Sequence, residues 1–177
     1  MTDTVAPVLD TVYAALQTFI VGVTGLAQAN VLKGYQNRVA SPVGPFCLMT
    51  ATMNARLATN VDTWDEVNPA PTVVTASTAM QLSVQLDLYG PSAGDWAVML
   101  TTLLRDEYGV NALAPNCAPL YSDDPRRAPL VTGEEQWQDR WIVVAQLNYT
   151  PVTTIPQDFA NTLGPVDLID VDVAYPP

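Results

Sequence analysis

Apolar residues recur at three- and four-residue intervals near the start of the chain, where Val8, Val12, Leu16, Phe19, Ile20 and Val23 fall on one side of a helix. This spacing predicts a helix over residues 4–24, within an N-terminal helical region of residues 1–28. Pro7 stands in its first turn after Asp3 or Thr4 as the cap, and Gly22 and Gly25 mark its fading end. Residues 29–45 carry Gly34, Pro42, Gly44 and Pro45 and read as a short element followed by a loop. The period then changes from helical to alternating. Residues 46–65 form two extended pieces, predicted as a hairpin or meander, with a turn at Asn68-Pro69-Ala70-Pro71.

The clearest strand is Met80 to Tyr89. There Leu82, Val84, Leu86 and Leu88 alternate with Gln81, Ser83, Gln85 and Asp87, which puts apolar side chains on one face of a sheet and polar ones on the other. Gly90-Pro91-Ser92 closes it and opens a helix over residues 92–108. Trp96, Met99, Leu100, Leu103 and Leu104 make its buried side, and Gly109 is a natural stop. Residues 110–133, with Pro115, Pro119, Pro125 and Pro129, read as an irregular Pro-rich loop. A strand over residues 136–149 follows, with Trp137, Asp139, Trp141, Val143, Ala145 and Leu147 of one parity. Pro151 and Pro156 bracket an extended piece, residues 157–163 suit a helical turn or two, and residues 166–173 suit a last strand. Helix, strands, helix, strands is the order of an α+β domain with a mostly antiparallel sheet and helices flanking it. With no internal repeat and no long linker, residues 1–177 are expected to form a single domain.

Composition narrows the function. Seven Lys+Arg against 18 Asp+Glu give a formal net charge of -11, and there is no His. Phosphate-led nucleic-acid binding draws its affinity from clustered Lys and Arg, which this chain lacks. Without imidazole there is no Ser-His-Asp or Cys-His nucleophile and no His-containing zinc site. An enzyme is therefore disfavoured, and no cofactor or metal is expected. Only 14% of residues are charged while 49% are apolar, a balance that suits a subunit whose partners cover much of its surface. Val12 to Ala29 is interrupted by Gln17, Thr18, Thr24 and Gln28 and is too polar for a membrane span. The start of the chain lacks the positive region of a signal peptide, so synthesis in the cytoplasm is expected. Cys47 and Cys117 match no metal-ligand spacing and have no neighbouring cation to activate them, so free buried thiols are expected.

The densest charged cluster is Asp123-Asp124-Pro125-Arg126-Arg127. Adjacent carboxylates seldom point at one ion, and no third acid completes a calcium-loop spacing, so a solvated turn or a docking loop is the better reading. Glu134, Glu135, Asp139 and Arg140 imitate the paired carboxylates of a glycosidase, but neighbours on a strand face opposite ways. Asp158, Asp167, Asp170 and Asp172 lie close together near the C-terminus, and Asp170 and Asp172 would share one strand face as an acidic stripe that calls for water, a cation or a basic partner. The sequon Asn148-Tyr149-Thr150 carries meaning only in a secreted protein. Among the aromatics, core packing competes with a role at a subunit interface, where Trp, Tyr and Arg are enriched.

Several strings in order resemble the neck or tail terminator proteins of long-tailed bacteriophages, chiefly those with contractile tails. They are Gln36-Asn37-Arg38-Val39; Leu86-Asp87-Leu88-Tyr89-Gly90-Pro91 with Asp95-Trp96; Leu104-Arg105-Asp106-Glu107-Tyr108; Ala118-Pro119-Leu120-Tyr121-Ser122-Asp123-Asp124-Pro125-Arg126; Glu135-Gln136-Trp137 to Arg140-Trp141; and Pro156-Gln157-Asp158-Phe159-Ala160. They span residues 34–175, while the helix before residue 30 matches no family string.

The resemblance implies a structural virion protein at the tail-neck junction, without catalytic residues. Terminators of this kind form a ring, usually of six subunits, on the head-proximal end of the tail tube, stop tube and sheath growth, and dock connector proteins. The implied partners are thus further copies of the chain, tube and sheath subunits, and neck proteins. DNA would pass through without specific binding. Arg38, Trp96, Tyr121, Asp123, Asp124, Arg126 and Arg127 become candidates for subunit or tube contact. Asp158, Asp167, Asp170 and Asp172 become candidates to face the channel, where negative charge repels DNA. The rivals are another head-tail joining protein, a tail-tube subunit, and more distantly a small metal-dependent hydrolase using Asp123, Glu134 or Glu135.

Overall fold

A computed structural model describes residues 4–36, 42–65, 73–131 and 137–156. The architecture is α+β and mainly antiparallel, as the periodicities require. Its centre is strand β6 (Met80–Tyr89), flanked by β3 (Phe46–Arg56) and β11 (Arg140–Tyr149), each antiparallel to it along its full length. A short β2 (Val31–Lys33) adds parallel to β3, and β7 (Ala118–Ser122) and β8 (Arg126–Arg127) both pair with the far side of β11.

Alternation in β6 decides where the core lies. Leu82, Val84, Leu86 and Leu88 are essentially inaccessible and pack in one cluster with Cys47, Met49, Val143, Ala145 and Leu147 of the neighbouring strands. Helices α1 (Leu9–Thr24), α2 (Ala93–Leu104) and α3 (Glu107–Leu113) complete that cluster with Val12, Leu16, Ile20, Ala97, Leu100, Leu104 and Leu113. Each such leucine contributes about 1.5–3 kcal/mol relative to exposure. The buried side of α2 shares only Leu100 and Leu104 with the expected set. Ala93, Ala97 and Thr101 are buried with Leu100 and Leu104, whereas Met99 is exposed and Trp96 is half-buried at the margin.

A second sheet, in the order β1 (Thr4–Ala6), β12 (Val152–Pro156), β5 (Val73–Ser77) and β4 (Val61–Asp65), prolongs the first. Its members β12, β5 and β4 continue β11, β6 and β3 across short breaks. Hydrogen bonds from the Leu57 amide to the Ala79 carbonyl (2.9 Å) and from the Thr78 amide to the Pro151 carbonyl (3.3 Å) carry the pairing through. Pro151 sits in one of these breaks, where a residue without an N–H does least harm to a ladder. The expected hairpin of residues 46–65 is thus corrected: β3 and β4 lie end to end, and each takes its partner from the β5–β6 segment.

Other expectations shift for local reasons. The first helix begins at Leu9, not residue 4, because residues 4–6 are taken up as a strand against β12, and Val8 provides the N-cap position. Gly25 ends it with φ 70°, donating to the Val21 carbonyl. The predicted helix 92–108 is two helices, since Asp106 leaves helical geometry and its carboxylate accepts the Tyr108 amide at 3.0 Å to cap α3. Gly109 is therefore no stop. It is buried inside α3, where an added Cβ would collide with the Leu103 carbonyl oxygen. The supposed irregular stretch 110–133 includes the end of α3, strands β7 and β8, and β9 (Leu130–Val131). The long strand predicted for residues 136–149 is interrupted at Asp139. Trp137 belongs to β10 (Trp137–Gln138), opposite Val131 and largely exposed, while Trp141 lies on β11 against the core, so the two do not share one strand face. The turn at 68–71, the helical turn at 157–163 and the strand at 166–173 lie outside the described residues.

One face of the main sheet is uncovered by helices. It bears Asp87, Ser83 and Gln146, all buried although polar, and Met53 and Tyr121, both exposed. Among the described residues no helix is long and apolar enough to cross a membrane.

Candidate assembly surfaces

The charged segment after β7 folds onto the edge of the main sheet. Ser122 is buried, its hydroxyl donating to the Thr101 carbonyl (3.2 Å), so the strand end is tied to α2. Arg105, just past the end of α2, donates to the Ser122 carbonyl through Nε (3.1 Å) and Nη2 (2.5 Å), and to Asp124 Oδ1 through Nη2 (3.0 Å). The Asp123 amide donates to the Val144 carbonyl (2.9 Å), and its carboxylate faces Arg126 at 3.8 Å. Arg127 donates from Nε to Asp139 at 2.8 Å, and the Ala128 amide to the Arg140 carbonyl at 2.9 Å.

The result is a rim of paired charges tied to the sheet edge. Asp123 and Asp124 turn to different arginines and do not converge on one point. Among the described residues no three His, Cys, Asp or Glu side chains gather as a metal would require. Arg105 was not foreseen as part of this rim, and its position one residue before the α3 cap was the available signal.

Of the sequence candidates, Asp123, Asp124, Arg126 and Arg127 are brought together here, with Tyr121 one step earlier on β7, opposite Gln146 and half exposed. Arg126 is the least committed, its side chain 72% exposed. Trp96 belongs to α2 and packs on the core margin. Arg38, Asp158, Asp167, Asp170 and Asp172 lie outside the described residues, as do Glu134 and Glu135 of the hydrolase alternative.

A second polar constellation occupies the helix-free face. Arg140 donates to Asp87 Oδ1 from Nε (3.1 Å) and Nη2 (2.7 Å), and Gln85 Nε2 donates to both Asp87 oxygens at 3.0 Å. Burial alone would lower the Arg140 pKa, but the hydrogen bond and charge of Asp87 outweigh it and the net shift is upward. Tyr89, stacked on Phe46 at 4.3 Å, is also raised, by burial first; Arg140 opposes that shift and Asp87 adds to it. Two rows along, Gln146 accepts from Gln81 (3.0 Å) and from the Ser83 hydroxyl. Asn148, of the sequon, is half-buried on β11 in this sheet, within the strand expected for residues 136–149. These contacts are hydrogen bonds among side chains of β6 and β11.

Residues 10–175 match the family described as phage neck terminator protein. The chain belongs to that family. No individually curated protein matches it. The terminator is therefore a structural component of the phage neck, part of the virion, and works among other neck and tail proteins. The match covers α1, which the sequence strings left outside the resemblance.

Proposed function

We propose that this terminator assembles into a closed ring, capping the head-proximal end of the tail tube and joining it to the neck. Family membership over nearly the whole chain carries the reading. Physical features support it. A cyclic ring of identical subunits needs two different sticky surfaces per copy. The exposed apolar side chains fall in separate places: Val98, Met99, Tyr108 and Val110 on α2 and α3, and Leu57, Val61 and Ile155 around the second sheet. The Arg126 rim offers a further polar contact. A net charge of -11 per copy suits a conduit that DNA crosses without adhering. The acidic residues Asp158, Asp167, Asp170 and Asp172 are the proposed source of charge on that channel.

Electron microscopy of a phage deleted for this protein tests the reading. Abnormally long tails or unjoined heads and tails are the expected result. Purified protein should give single rings or monomers, and long tubes would identify a tail-tube subunit instead.

A further inference from the structure

A cleft of about 290 Å³ lies between α3, the start of β7, the end of β11 and Pro7 after β1. Pro7, Val110, Pro115 and Tyr149 are among its walls, and none of its lining residues is charged. Another of them is Asn148, whose Oδ1 is a buried acceptor without a hydrogen-bond partner. Buried acceptors are nearly always satisfied in folded proteins, so this one calls for a donor that the described residues do not supply. The volume falls just under the usual small-molecule range of about 300–1,000 Å³, which suits one inserted side chain better than a cofactor. An occupant matched to these walls is uncharged, mostly apolar and a hydrogen-bond donor.

Trp137 has that character. Its indole is a large apolar body with one N–H donor and no acceptor, and it stands 76% exposed on β10. It precedes the start of β11, whereas the cleft is at that strand's end. Arg140 and Asn148, eight residues apart on β11, are separated by about 27 Å at the usual rise. That is close to the ~30 Å width of a small domain, so a copy displaced by one subunit brings its Trp137 to its neighbour's cleft. Charge at the two ends is complementary. Beside Trp137, Arg127 reaches Asp139, and Arg126 is the loosely held cation of the rim. Beside the cleft, one turn of α3 before Val110, Glu107 is exposed and belongs to none of the ion pairs of the described residues.

We propose that Trp137 of one terminator copy inserts into the Asn148 cleft of the next, its indole N–H donating to Asn148 Oδ1, with Arg126 facing the neighbour's Glu107. This rests on the ring reading above and names its contact. A knob and a hole on the same chain make a head-to-tail contact, the kind a cyclic ring needs. A Trp seated in a desolvated pocket is a common anchor of such interfaces.

The test is assembly of full-length variants by sedimentation velocity, with the urea midpoint as the check on folding. Trp137→Ala removes the knob, and Ala114→Trp fills the cleft from an exposed lining position. Each should keep the parent's urea midpoint and raise the concentration for half-assembly at least about tenfold. Trp137→Phe, which keeps an aromatic body and loses the N–H, should fall between Trp137→Ala and the parent. An equimolar mixture of Trp137→Ala and Ala114→Trp should stop at a heterodimer, since between them they hold one knob and one hole. Val110→Arg replaces Ala114→Trp if that variant is unfolded. Rings from Trp137→Ala at the parent's concentration overturn the contact and leave the ring reading standing, as would follow if a small molecule or a segment of the same chain filled the cleft. A mixture that stays monomeric while both variants are folded also overturns it. A parent that is monomeric at every concentration and forms no ring in the virion overturns both readings.

Discussion

Arg140 Nη2 lies 2.7 Å from Asp87 Oδ1, and Asp87 is the one charged side chain that is buried among the described residues. The two are not direct cross-strand partners. Arg140 stands opposite Tyr89 and reaches diagonally to Asp87, passing over the Tyr89 ring at 5.8 Å. Removing one member of a buried pair typically costs about 3–5 kcal/mol, because the other charge is left uncompensated. The Arg140 side chain keeps 24% exposure, so water relieves part of that penalty. Arg140→Gln should therefore destabilise the protein by roughly 2–3 kcal/mol, and Asp87→Asn by a similar amount. The double variant should lose less than the sum, with a coupling of about 1 kcal/mol or more in urea denaturation. Strict additivity would show that the pair is ornamental to stability.

Gly109→Ala should destabilise by about 1–3 kcal/mol, the usual range for forcing atoms into a packed interior. The reason is the close approach of the Leu103 carbonyl where α2 gives way to α3, and not an unusual backbone angle. Gly22→Ala, on the exposed side of α1 with open space around it, should stabilise slightly through helix propensity. Equal shifts in the urea midpoint for the two variants would refute the packing argument.

What periodicity could read was the central strand and the apolar side of α1, because Leu82 to Leu88 and Val12 to Ile20 each obey one period against one core. What it could not read was pairing. Nothing local distinguishes β3 and β4 as one bent strand from a hairpin, since both arrangements alternate, and only the two-part partner β5–β6 decides between them. The Pro-rich stretch was misread for a related reason. Pro119 and Pro125 lower strand propensity, yet β7 and β8 are edge strands, where a missing N–H on the outer side costs little. The charged rim was legible as a cluster, but its pairings were not. Asp124 turns to Arg105, nineteen residues away, and Arg127 to Asp139.

The thiols give a pH prediction. Cys47 is raised well above its ordinary 9.0, by burial first and then by the Asp87 charge, and burial pushes Cys117 up to about 11. A folded pKa above the unfolded one means the native state holds its proton longer. The associated stability is complete below about pH 9 and is lost as pH rises from there toward the folded values. Native protein at about pH 8 should react with a thiol reagent only as fast as it opens, and both thiols should react on unfolding. A Cys47→Ala/Cys117→Ala variant should show a flatter decline in Tm between about pH 8.5 and 10 than the parent. Rapid native-state modification of either cysteine would contradict the burial seen for both.

Arg127 and Arg126 separate folding from assembly. Arg127 and Asp139 form an ion pair at 2.8 Å with side chains 63% and 32% exposed, and Arg126 is held only loosely by Asp123. Exposed pairs of this kind contribute about 0–1 kcal/mol, so Arg126→Glu/Arg127→Glu should leave the urea midpoint of the subunit nearly unchanged. If the rim is a contact between subunits or with the tube, the same variant should reduce ring formation by sedimentation velocity or restore abnormally long tails in the virion. An Arg127→Ala variant should be milder, because Asp139 already engages that guanidinium within its own subunit. Arg126→Ala, which removes the freer cation, should weaken assembly more than Arg127→Ala. Normal rings and normal tail length in the double charge reversal would remove the rim from the assembly surface, and an unfolded variant would instead show that these pairs are structural.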